Sequence, residues 1–399
     1  MSNTLKFGNG EWYGKKDTIL AYNDENSNFK PLAFNFERNT SATRVNKDGL
    51  IETVGSGEPR IDYKDDSKGA LLLEPTRSNL ITYSEAFDNS YWTKSGSSVT
   101  SGFTSPKGDL SAFKLVENTS NSLHYIYSSG ISVSAVKNNF SAFVKSAGKT
   151  KLAIRESSGT GRYASFDLTN KSVIEQNGTD AKIEELINGW FRISFNDVTT
   201  TSTIMGLFLL DDSYTSGSPA TSYQGDGTSG VYIFGTQLEI GYATSYIPTS
   251  GGAVTRNSDS CLQGGFQDKN IFGSSQGTAV FDIKWDELNY IFDFNVGGVE
   301  VIRIYNDNNT QWRIRDTTTS SWYYTGFNIT QGQRTKIGFK WSGTEIVAFQ
   351  NGVKSLNNGL IGSNTSVESI TTNKLNNTSN MQFYNTALTD QELINLTTI

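Results

Sequence analysis

Trp322, Tyr323 and Tyr324 are consecutive, and Trp312 lies upstream in the same stretch. A sugar ring offers an apolar face edged by hydroxyls, so flat aromatic side chains with polar neighbours are the residues that recognise it. Successive side chains of a strand point to opposite faces, so at least one of the three must turn away from the core. The polar run at 317–321 stands beside them to meet hydroxyls. Trp92, next to Tyr91 in a loop-rich stretch, is a second candidate plate. Plain packing competes at each position: the triplet as a rim of core aromatics with one surface member, Trp92 as a plug at one end of a sandwich. Trp190, after Asn188-Gly189, reads as core.

Acid–base and nucleophilic chemistry find little to work with. The single histidine, His124, sits in the strand-like run Leu123-His-Tyr-Ile-Tyr127 and reads as structural. Glycoside hydrolysis needs two carboxylates at a set separation. The closest cluster, Asp282 with Asp286 and Glu287, has the spacing of an outward strand face and a turn. No Gly-rich phosphate loop, zinc spacing or Ser-His-Asp arrangement is present. The one cysteine, Cys261, excludes an internal disulfide framework and reads as a buried thiol. Asp211-Asp212 and Asp226 lie in polar loops and read as solvated carboxylates, with structural calcium the alternative. No catalytic residue, no metal and no cofactor is expected.

The composition narrows the partners. The net charge is −6 with no basic run, so a nucleic-acid partner, which needs clustered Lys and Arg, is not expected. No apolar run reaches membrane-spanning length, and the N-terminal residues lack the apolar stretch of a signal peptide, so synthesis without export and no membrane insertion are expected. A chain of 399 residues exceeds one ordinary core, and 23 Phe, 18 Tyr and 7 Trp give it the area to build more than one.

The elements that must position the aromatics are strands. Phe140, Ala142 and Val144 alternate, as do Phe191, Ile193 and Phe195. Ala279, Phe281 and Ile283 alternate with polar residues, and Ile337, Phe339 and Trp341 do the same before a turn at Ser342-Gly343. Thr389 with Glu392 forms a capping box, which predicts one short C-terminal helix carrying Leu393 and Leu396. The reading is all-β: an extended N-terminal attachment region at 1–80, followed by two antiparallel β-sandwich (jelly-roll, lectin-like) domains at 81–255 and 256–399. The first region is thinly cored.

Three stretches carry a resemblance. Arg38-Asn-Thr-Ser-Ala-Thr-Arg-Val-Asn-Lys-Asp-Gly-Leu-Ile-Glu52, with Pro59-Arg-Ile-Asp-Tyr63 and Leu71-Leu-Leu-Glu-Pro-Thr-Arg-Ser-Asn-Leu80, resembles a connector segment of tailed-phage virion proteins. Gly235-Thr-Gln-Leu-Glu-Ile-Gly-Tyr-Ala-Thr-Ser-Tyr-Ile-Pro-Thr249, with Ala253-Val-Thr-Arg256, is similar to the closing strand of the carbohydrate-binding-like sandwiches in that group. The tail resembles the close of a laminin-G/concanavalin-A-like jelly roll. The resemblance implies a head or tail fibre on the virion surface. It implies contact with other virion proteins through 1–80, display of the sandwiches to cell-surface glycans, and a homotrimer that would complete the thin core. A tail-associated polysaccharide depolymerase and a ligand-free capsid decoration protein are the alternatives.

Overall fold

A computed structural model describes the chain except for residues 1–3, 9–11, 17, 24–27, 158–160, 199–200, 264–275, 285–289, 297–298, 308–310, 317–319, 331, 361–368 and 373–376. It is built almost wholly of antiparallel strands, as expected, and divides into two compact units.

The first comprises residues 1–47, 53–76 and 257–399, the second 48–52 and 77–256. The boundary expected at 255 falls at 256, while the one expected at 80 does not separate a region of its own. The middle unit is where the alternation placed it, but residues 1–80 do not stand as a region of their own. Thr4–Gly8 pairs with Asn377–Tyr384, from Thr4 opposite Tyr384 to Gly8 opposite Asn380. Asn28–Glu37 pairs with Ser260–Gln263. The physical reason is the thin core itself. Phe36, Ile61, Leu71 and Leu73 are buried in the same cluster as Phe281, Phe339 and Phe383. Those strands complete a core within one chain.

In the unit of 77–256, two six-stranded sheets enclose one core. One sheet runs Trp92–Ser95, His124–Ser128, Met205–Leu209, Lys151–Glu156, Tyr163–Asp167, Ser172–Gln176. The other runs Ser97–Phe103, Ala112–Glu117, Gly230–Ile240, Lys137–Ala147, Phe191–Val198, Thr179–Glu185. Phe140 lies opposite Phe195 and Ala142 opposite Ile193, so the alternating residues of neighbouring strands share the inward face. Trp190 is buried, as expected.

In the other unit the strands form one long antiparallel ribbon. In order of pairing it runs Ser321–Asn328, Gln311–Asp316, Val299–Asp307, Tyr290–Val296, Ser369–Thr372, Ser260–Gln263, Asn28–Glu37, Thr18–Asn23, Thr4–Gly8, Asn377–Tyr384, Gln276–Lys284, Arg334–Ser342, Glu345–Gln350. Its two ends share a core: Trp312, Ile314 and Tyr323 from one end lie with Phe281, Ile337, Phe339 and Trp341 from the other. The expected helix, Asp390–Thr397, has its capping box and covers the opposite face, burying Leu393 against Val280, Val347 and Phe349. Gly338 lets it approach: a Cβ there would lie 3.0 Å from both Leu393 Cδ2 and Thr397 Cγ2.

Candidate functional site

Strands Gln311–Asp316 and Ser321–Asn328 pair with Arg313 opposite Tyr324, Ile314 opposite Tyr323 and Arg315 opposite Trp322. Burial alternates along both. Trp312, Ile314, Asp316, Tyr323 and Thr325 face the core, while Arg313, Arg315 and Trp322 are half-buried and Tyr324 is 52% exposed.

Three candidate plates are therefore core residues. Trp312 is fully buried, stacks on Phe327 and donates its indole N–H to Gln350 Oε1 at 2.8 Å. Tyr323 is buried and donates its hydroxyl to the Asn357 carbonyl at 2.6 Å. Trp92 is buried against Phe87 and Tyr91 and donates to the Tyr83 carbonyl at 2.8 Å. In each the ring fills the core and its polar atom is paired internally, so no flat face is left for a sugar. Trp322 and Tyr324 remain, on one outward face. Of the polar run beside them, 317–319 lies outside the described residues.

Arg313 and Arg315 share that face. The guanidinium carbon of Arg313 sits 4.0 Å from the Trp322 ring centroid and 5.5 Å from that of Tyr324; for Arg315 the distance to Trp322 is 5.2 Å. Arg313 Nη1 donates to the Tyr324 hydroxyl at 3.3 Å. Each cation–ring contact at such a site stabilises by about 0.5–1 kcal/mol. The loop at 355–358 braces the strand from the other side. The Ser355 hydroxyl donates to the Thr325 carbonyl at 2.7 Å, and the Asn357 amide to the Tyr324 carbonyl at 3.1 Å. Leu356, between them, is fully exposed. The result is a braced hairpin that presents an open tyrosine ring beside an arginine-covered tryptophan.

The other sequence candidates are structural. His124 is buried, with Nδ1 2.5 Å from the Gly96 carbonyl and Nε2 3.1 Å from the Tyr223 carbonyl. Asp282 accepts from Arg334 Nε at 2.7 Å; burial pushes its carboxyl up while Arg334 opposes. Asp286 and Glu287 lie outside the described residues. The loop carboxylates are engaged within the chain: Asp211 and Asp226 bind their own turns, accepting from the Ser213 backbone N–H at 2.9 Å and the Ser229 hydroxyl at 2.6 Å, while Asp212 accepts from the Thr150 hydroxyl at 2.8 Å. Among the described residues no group of three or more His, Cys, Asp or Glu is arranged to hold a metal ion.

Sequence reasoning passed over two features. The alternating Arg-x-Arg of 313–315 was visible as period 2 and placed both cations beside the outward aromatics. In the other unit, half-buried Tyr125 stacks on Phe208 at 4.6 Å and on Tyr127 at 5.7 Å. The alternation of His124-Tyr-Ile-Tyr127 was the signal for that outward aromatic row.

No family model and no curated protein matches the chain. Among solved structures it is similar to domain 4 of AbnA, a GH43 extracellular arabinanase from Geobacillus stearothermophilus in complex with arabinotriose. The identity is 17% over 40% of this chain and 82% of that one, with a TM-score of 0.27. It is similar to a heptameric SAP-like pentraxin from Limulus polyphemus at 15% identity, over 30% and 68% of the two chains, TM-score 0.24. It is similar to Trypanosoma rangeli sialidase in complex with the inhibitor DANA at 10% identity, over 98% and 77%, TM-score 0.30. These likenesses concern β-architecture and carry no residue or activity across.

Proposed function

We propose that this chain is a non-enzymatic glycan-binding protein displayed on a phage virion, as part of a head or tail fibre. One observation carries the glycan reading: Trp322 and Tyr324 are held outward on a hairpin whose alternate residues, Trp312 and Tyr323, lock it into the core. A sugar ring stacks on the open Tyr324 face, and the arginine edges and backbone rim meet its hydroxyls. The non-enzymatic reading rests on where the candidate catalytic groups sit: His124 lies between two carbonyls, and Asp282 is engaged by Arg334. The motif resemblance at 38–80 and 235–256 supports the virion placement.

The test is a glycan array and host-cell binding with the full chain beside Tyr324→Ala and Trp322→Ala. The reading expects a defined set of bound glycans, with signal lost in both variants. Binding that persists unchanged in both would move the site off this hairpin, and no binding by the full chain would refute the reading.

A further inference from the structure

On the strand Ser321–Asn328, Tyr324 and Gly326 are both exposed. Side chains two positions apart share a face, so the missing side chain at Gly326 leaves a shelf beside the Tyr324 ring. Gly326 has φ +78°, and a Cβ built on it would meet, beyond its chain neighbours, one heavy atom within 4 Å among the described residues: Asn357 Nδ2 at 3.7 Å. Asn357 therefore stands at the side of the shelf, and it is held there. Its backbone N–H donates to the Ser355 hydroxyl at 3.1 Å, its backbone carbonyl accepts the Tyr323 hydroxyl at 2.6 Å, and Nδ2 donates to the Tyr324 carbonyl at 3.1 Å. Its Oδ1 has no hydrogen-bond partner among the described residues. Leu356, the preceding residue, is fully exposed. A fixed acceptor and an apolar side chain thus adjoin the open ring.

From this we infer that the glycan taken here carries an acetamido group: the sugar ring lies on Tyr324 over the Gly326 shelf, the acetamido N–H donates to Asn357 Oδ1, and the methyl meets Leu356. The inference rests on the glycan-binding reading and names its sugar class. A hydroxyl would satisfy Oδ1 but offers nothing to the leucine, and the methyl of a deoxy sugar would meet the leucine but cannot donate. A free amino group carries a charge that loses water beside an apolar side chain. The acetamido group supplies the donor and the methyl together. Asn357 is ordered before the sugar arrives, which lowers the cost of that contact.

Chitotetraose, its deacetylated form and cellotetraose share one backbone and differ in a single substituent of each ring, so they separate the acetamido group from the sugar. The full chain is titrated with these, and with galacto- and manno-configured N-acetyl glycans beside their unacetylated counterparts. At least one N-acetyl glycan is expected to bind at least about tenfold more tightly than its hydroxyl and amine counterparts, the scale of one added methyl contact. Leu356→Ser should cut that ratio several-fold and leave the unfolding transition where it was, since the side chain is fully exposed. Gly326→Asn, a residue that tolerates positive φ, fills the shelf and should weaken acetylated and unacetylated glycans alike. Equal binding of acetylated and hydroxyl glycans, a ratio unchanged in Leu356→Ser, or undiminished binding by a folded Gly326→Asn chain would overturn the acetamido site and leave the glycan reading standing. Failure of the full chain to bind any glycan would overturn both.

Discussion

Arg38 donates from Nη1 to Asp259 Oδ1 at 3.0 Å, both side chains fully buried and 221 positions apart in sequence. Asp259 also pairs with Arg60, which reaches Glu74 at 2.6 Å, and Asp259 Oδ2 accepts the Glu74 backbone N–H at 2.8 Å. Arg38, Arg60 and Glu74 all belong to the stretches that resemble phage connectors. Their work in this chain is to fasten the N-terminal strands to the C-terminal sheet. The second motif behaves alike in the other unit. Gln237 accepts from the Ile247 backbone at 2.7 Å, and buried Glu239 accepts from the Thr244 hydroxyl at 2.6 Å.

Removing the shared carboxylate should be costly, because it strands two buried guanidinium groups. Asp259→Asn is expected to lower stability by about 3–5 kcal/mol in urea unfolding. The exposed pair Lys137–Asp180 sets the contrast: Asp180→Asn should cost less than about 1 kcal/mol. Equal, small losses at both positions would contradict the buried network.

Gly338→Ala tests the helix contact. The added methyl meets Leu393 Cδ2 and Thr397 Cγ2 at 3.0 Å, and Leu393 is buried and has little room to retreat. A loss of about 1–3 kcal/mol is expected from overpacking. Thr389→Ala removes the cap at the other end of the helix and should cost about 0.5–2 kcal/mol. Thermal unfolding of the two variants measures both.

Much of the fold was legible. Period-2 alternation in Phe140–Ala142–Val144 and Ile337–Phe339–Trp341 set the strands, and Thr389 with Glu392 set the helix. The fate of residues 1–80 was not legible, because nothing local couples Thr4 to Tyr384 or Arg38 to Asp259. Polar motif residues read as an attachment surface, yet they are buried as a network. At the site, alternation required one outward member of the 322–324 triplet but not which; the parity is fixed by Trp312 and Ile314 facing the core. Trp92 looked loop-borne because Asn89 and Ser90 precede it, although the strand begins at Trp92 itself.

Cys261 should be inert in the folded chain. Burial pushes its thiol up, and the Asp259 charge raises it further. Labelling with a thiol reagent at neutral pH is expected only after denaturant is added. Rapid labelling of the native chain would contradict its place in the core.

Asp109 gives a pH signature. Burial pushes its carboxyl up, but hydrogen bonds from Ser105 and Ser111 and the charge of Lys107 outweigh this and hold it at about 2. Its folded value lies below the unfolded one, so its contribution to stability is present above about pH 4 and is lost as pH falls toward 2. Carboxyl NMR should show the depressed titration, and Ser105→Ala should move it upward. A midpoint at the ordinary aspartate value would refute the loop geometry.

The most direct test of the account compares two tryptophans on one hairpin, with glycan affinity and unfolding measured for the same proteins. Trp322→Ala should weaken binding by about tenfold or more while costing little stability. Trp312→Ala should cost about 3–5 kcal/mol of stability, because it empties a core position. A Trp322→Ala chain that binds its glycan as tightly as the natural sequence would contradict the central claim.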